Sequence, residues 1–116
     1  MTAGREQRDY LEDIREAAQA ARSFVEGMDR EAFVADRKTV FAVVRALEIV
    51  GEAAKRVPEP LRKRYPDVPW RAMAGIRDKL IHDYMSVNLE VVWKTVIEDL
   101  PALLPLLQRV LDDLPR

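Results

Sequence analysis

One stretch of this chain gathers side chains that could break a phosphodiester: Arg77, His82 and Tyr84, in the form R-x4-H-x-Y. His82 is the only histidine, and histidine is the side chain that ordinarily titrates near neutral pH. Arg77 is a permanent cation suited to phosphate. An RNA strand carries its own nucleophile, the 2′-OH. Cleavage then needs a base to take its proton, an acid to protonate the leaving 5′-oxygen, and a cation to stabilise the charged phosphorane. His82 could be the base or the acid, and Arg77 could hold the scissile phosphate. This chemistry requires no metal, and one His without any Cys is a poor transition-metal ligand set. No cofactor is implied.

The spacing constrains this reading. Five residues along one helix is about 500°, so Arg77 and His82 would stand roughly 140° apart, whereas Arg77 and Tyr84 share a face. His82 must then swing in from a fraying helix end or meet its partner across a subunit interface. The alternative is that His82 is a residue near a helix C-terminus interacting with the dipole, with Tyr84 an aromatic anchor for the loop. Asp78 and Asp83 flank the motif and could orient its members. Glu48 and Glu52 lie on a helix that is otherwise apolar, and unpaired buried charge is costly. Arg45 can satisfy one in cis, and Arg77 or Arg71 the other. They form either a structural ion-pair network or the groups that orient Arg77.

The elements that must position these residues read as helices. Alternating strand signals are absent. Tyr10, Ile14, Ala17, Ala21, Phe24 and Met28 recur at steps of three and four, with Gly27 as a stop. A short turn, residues 29–35, follows, with Asp29 as a possible cap. Asp36 caps a second long helix that runs to about Val57 and is ended by Pro58 and Pro60. On it Val40, Val44, Leu47, Gly51 and Ala54 form one apolar stripe, and Ala42, Ala46, Ile49 and Ala53 an opposite one. Val43 and Val50 fill the arc between them. Only Arg45, Glu48 and Glu52 make a polar strip, so the helix is central or shared with a second subunit. Residues 61–65 are a short basic turn. Pro66 and Pro69 bracket an ordered loop, and Pro69 suits the start of a third long helix over 70–83. Asn88 caps the last, whose inward stripe is Val92, Val96, Leu100, Leu103, Leu107, Val110 and Leu114. Pro101 and Pro105 predict a kink or restart in it. The expected fold is all-α: an antiparallel bundle of four principal helices with short turns, in one domain over 1–116.

The chain of 116 residues, 48% of them hydrophobic, is long enough for one such core. The absence of cysteine excludes disulfides, thiolate metal sites and a Cys nucleophile. The polar start is no signal peptide, and no apolar run approaches the roughly 20 residues of a membrane span. The expectation is a cytoplasmic protein with no membrane partner. The net charge of −1 is unevenly spread. Residues 1–36 carry five basic and nine acidic side chains, and residues 55–79 eight basic and three acidic. Arg62, Lys63 and Arg64 are candidates to guide an RNA backbone. A solvated face with surplus cations is the plainer explanation.

Three runs in order carry a family resemblance: Leu47-Glu48-Ile49-Val50-Gly51-Glu52-Ala53-Ala54, Tyr65-Pro66-Asp67-Val68-Pro69-Trp70, and residues 77–84 with the motif. Val92-Trp93-Lys94-Thr95, Asp99-Leu100-Pro101, Phe33 and Asp36 add to it. Over roughly residues 8–113 the chain resembles the HepT family of the HEPN superfamily. The resemblance implies helical bundles that form homodimers, with the R-x4-H motifs of two subunits facing a shared cleft. It implies a metal-independent ribonuclease toxin acting on tRNA or mRNA, in a type VII toxin–antitoxin pair. An MntA-like nucleotidyltransferase would be the antitoxin, transferring AMP to the motif tyrosine, here Tyr84. Arg77 and His82 would be catalytic. Two other readings stand beside this one. The chain could be a non-catalytic helical module that docks a nucleotidyltransferase or a nucleotide, or a plain dimerising bundle with structural charges.

Overall fold

Three helices begin where the sequence offers a side-chain cap. Asp29 accepts from the Ala32 N–H at 2.8 Å and starts α2 (Arg30–Ala35). Asp36 accepts from the Thr39 N–H at 3.1 Å and starts α3 (Arg37–Arg56). Asn88 accepts from the Val91 N–H at 3.2 Å. Each satisfies a backbone donor that the helix leaves open. The computed structural model describes residues 6–83 and 86–115, and of His82 and Asp83 only the backbone. These residues are mostly helical, as expected for an all-α chain. Among them no helix is long and apolar enough to cross a membrane.

The Asp36 cap has a pH consequence. Hydrogen bonds from Thr39 hold its carboxyl below the ordinary value of 3.8. A folded-state pKa that is lowered adds stability above the unfolded value and loses it as pH falls through the folded one. Asparagine caps as well as aspartate but does not titrate. The melting temperature of Asp36→Asn should therefore fall less than that of wild type between about pH 5 and about pH 3. Parallel melting curves across that range would disconnect the cap from acid stability.

Helix α1 (Gln7–Phe24) lies antiparallel to α3, since Tyr10 and Asp13 share a groove with Ala53 and Arg56. It is also antiparallel to the last helix: Arg8 donates to the Leu111 carbonyl at 3.0 Å and Arg15 to Gln108 at 3.3 Å. The buried side of α1 is Leu11, Ile14, Ala17, Ala18, Ala21, with Val25 just beyond. It is rotated from the expected stripe: Phe24 is exposed, and Tyr10 and Met28 are half-buried. Helix α3 is buried on two sides, as expected of its double stripe, although Val44 and Ile49 are only partly covered.

Two segments expected as turns are helical, α2 and α4 (Glu59–Arg64). Phe33 fixes α2 by burying fully and meeting Trp93 with ring centroids 5.3 Å apart. The loop after α4 is ordered as its prolines suggest. Trp70 Nε1 donates to the Tyr65 carbonyl at 3.0 Å, and Arg109 pairs with Asp67 at 2.6 Å. The Tyr65 hydroxyl donates to Asp113 at 2.9 Å, and that carboxylate holds the phenol above its usual pKa.

The third long helix is broken. It consists of α5 (Trp70–Ala74) and α6 (Ile76–Leu80), separated at Gly75, a residue with poor helix propensity. Beyond Leu80 the chain is extended. β1 (Ile81–Asp83) pairs antiparallel with β2 (Ser86–Val87), Ile81 opposite Val87, and the Asn88 N–H closes the hairpin on the Leu80 carbonyl at 2.8 Å. The β-branched pair Ile81 and Val87 favours this over a further helical turn. Helix α7 (Leu89–Lys94) passes through a π-helical turn (Thr95–Asp99) into α8 (Leu100–Asp113). The restart expected at the prolines occurs only at the first: the wide turn sits just before Pro101, which has no N–H to continue the ladder, whereas α8 runs on through Pro105 without a break. All seven residues of the expected inward stripe are buried.

Candidate functional site

Helix α6 is held from one side. Ile76 and Leu80 are buried, while Arg77, Asp78 and Lys79 face outward. Its approach to α3 is set by Gly51. A Cβ there would lie 2.9 Å from Ile76 Cγ2 and 3.1 Å from the Met73 carbonyl oxygen, so a glycine inside a long helix lets the two elements close.

That closeness brings Arg77 to Glu48. Arg77 Nε donates to Glu48 Oε2 at 3.3 Å. Arg45 Nη1 lies 3.9 Å from the other carboxylate oxygen. The Glu48 side chain is 24% exposed and that of Arg77 60%. The more buried partner therefore orients the more exposed one. This contact uses one of the five guanidinium donors. Of the two cations that the sequence offered from outside α3, Arg77 is the one that meets Glu48. Glu52 instead pairs with Lys55 at 3.4 Å and lines a different groove, beside Tyr10 and Arg56. The expectation that it orients Arg77 has no contact behind it.

Arg77 and Glu48 rim a groove of ≈ 280 Å³ whose other walls are Phe41, Val44, Arg45, Ile81 and Val87. His82 follows Ile81 directly on β1. Its side chain, that of Asp83, and the whole of Tyr84 lie outside the described residues. The angle of roughly 140° expected between Arg77 and His82 assumed one continuous helix. It does not hold, because helical geometry ends at Leu80, between them. Asp78 is exposed in the first turn of α6.

The basic residues of α4 belong elsewhere. Arg62 and Lys63 line a separate groove with Trp70 and Arg71. Lys63 pairs with Glu59 at 3.2 Å, Arg64 lies over the Tyr65 ring at 5.7 Å, and Arg62 buries its Nε with no hydrogen-bond partner among the described residues.

Sequence reasoning missed Phe41, which is 64% exposed at the groove. The signal was available: positions 41, 45, 48 and 52 follow one helix face, so Phe41 sits on the polar strip of α3.

Residues 14–110 match the profile of the family described as HepT-like, Ribonuclease HepT-like. The chain belongs to this HepT-like family. It is 52% identical over 99 residues to “Probable ribonuclease HepT” of Thermococcus cleftensis, covering 85% of this chain and 90% of that protein. It is 43% identical over 96 residues to “Putative RNase TTE0752” of Caldanaerobacter subterraneus subsp. tengcongensis, covering 83% and 86%. To “Putative RNase MJ0127” of Methanocaldococcus jannaschii it is 40% identical over 107 residues, covering 92% and 88%. No solved structure matches the chain significantly.

Proposed function

We propose that this chain is a metal-independent ribonuclease, the toxin of a HEPN/nucleotidyltransferase pair, cutting cellular RNA such as tRNA or mRNA. The observation that carries this reading is the Arg77 guanidinium. It stands on the open face of α6, oriented by Glu48, at the head of an R-x4-H-x-Y motif. Membership of a family described by ribonuclease activity supports it.

The chemistry follows from the residue types. The 2′-oxygen attacks the adjacent phosphorus while a base takes its proton. The bond from phosphorus to the 5′-oxygen breaks, and an acid protonates that oxygen. The products are a 2′,3′-cyclic phosphate and a 5′-hydroxyl. Arg77 stabilises the negative charge that develops on the phosphorane oxygens. His82 transfers one of the two protons. A homodimer would place a second motif across the cleft and supply the other proton carrier. An MntA-like nucleotidyltransferase would silence the enzyme through Tyr84. The Tyr84 hydroxyl attacks the α-phosphorus of ATP and pyrophosphate leaves. The AMP so attached would add a negative charge and bulk to a motif whose substrate needs the Arg77 cation.

Purified protein in EDTA, offered end-labelled total tRNA, should cut it, and folded His82→Ala should not. Equal cutting by both removes His82 from the mechanism. No cutting by unmodified wild type leaves the docking module as the better account.

A further inference from the structure

Phe41 is a large aromatic side chain that the fold leaves in water. It is on the outer face of α3, 64% exposed, and it lines the same groove as Arg77 and Glu48. The Arg37 guanidinium lies over its ring, 5.4 Å from the centroid. Arg45 and Arg77 stand along the same groove, and its one carboxylate, Glu48, is already engaged by both. The rest of its lining is apolar: Val44, Ile81 and Val87.

We propose that Phe41 is a stacking platform for one nucleobase of single-stranded RNA, next to the phosphate site at Arg77. This rests on the ribonuclease reading and adds a substrate-binding residue to it. Two features of the groove favour a nucleic acid strand. A flat π surface beside an apolar lining accepts a base of any identity, because every base has a π face. The surrounding cations match a phosphate backbone. The groove is also continuous with the candidate site, sharing Arg77 and Glu48. The platform would select unpaired RNA, since a paired base has no free face to offer.

The test is fluorescence anisotropy with two 5′-fluorescein strands of equal length, a 2′-O-methyl oligoadenylate that cannot be cleaved and an abasic phosphodiester strand. Wild type should bind the base-bearing strand more tightly. Phe41→Ala and Phe41→Leu should each weaken that binding about 5–150-fold, the range of one lost stack, and leave the abasic strand unchanged. Phe41→Trp should restore it. Arg77→Ala should weaken both strands. If Phe41→Ala binds both strands as wild type does, the platform is refuted while the ribonuclease reading stands. If it weakens both alike, or shifts the sedimentation coefficient towards a smaller species, Phe41 is a subunit contact and the platform is likewise refuted. Wild type that binds neither strand overturns the platform and the ribonuclease reading together.

Discussion

Arg77→Ala should lower RNA cleavage about 10²–10³-fold, the usual loss when one preorganised donor to a developing oxyanion is removed. The fold should barely register the change. Arg77 is mostly in solvent, and exposed ion pairs contribute about 0–1 kcal/mol. Arg45 remains 3.9 Å from Glu48, so the half-buried carboxylate keeps a cation nearby. Arg77→Lys should recover only part of the rate. It retains the charge but not the planar fork that can bond Glu48 and a phosphate at once. Single-turnover rates beside thermal melts decide this. An Arg77→Ala protein that cuts like wild type would remove the cation from the mechanism.

Leu80→Ala should show the opposite pattern. Leu80 is fully buried at the end of α6, and its carbonyl receives the Asn88 N–H that closes the hairpin. Truncating a buried leucine costs about 2.7–5.0 kcal/mol, depending on how far the cavity collapses. That is a large share of the roughly 5–15 kcal/mol holding a domain folded. The melting temperature should drop by about 10–20 °C. Well below that temperature, cleavage per folded molecule should fall far less than in Arg77→Ala. A melting temperature within a few degrees of wild type would mean that Leu80 does not anchor the motif. The two variants separate the side chain that acts from the one that holds it in place.

Much of this arrangement can be read from residue order. Asp36 and Asn88 each stand just before an apolar-periodic run, and each caps a helix; Asp29 also caps one, although the segment after it reads as a turn. The stripe from Val92 to Leu114 is buried throughout, while the neighbouring apolar residues Val91, Trp93, Leu104 and Leu106 are only partly covered. The break at Gly75 is hidden for a specific reason: Met73, Ile76 and Leu80 keep helical spacing across it, and all three are buried. Periodicity reports which residues face inward, not whether the backbone between them is continuous. The hairpin is too short to show alternation, three residues against two. In α1 two apolar sets overlap, one position apart, and the side that faces α3 is chosen by tertiary packing. The Glu48–Arg77 contact was one of several pairings the charges allowed. Gly51 decides it, by letting α6 approach where a larger residue would hold it off.

The most direct measurement is the chemical identity of the ends made from RNA in EDTA, with a matched strand carrying 2′-deoxyribose at the cut position. A 2′,3′-cyclic phosphate, a 5′-hydroxyl and an uncut deoxy-substituted strand are expected if the 2′-oxygen attacks phosphorus beside Arg77. A 5′-phosphate with a free 3′-hydroxyl, or cleavage of the deoxy-substituted strand, would mean that water is the nucleophile and would contradict the mechanism.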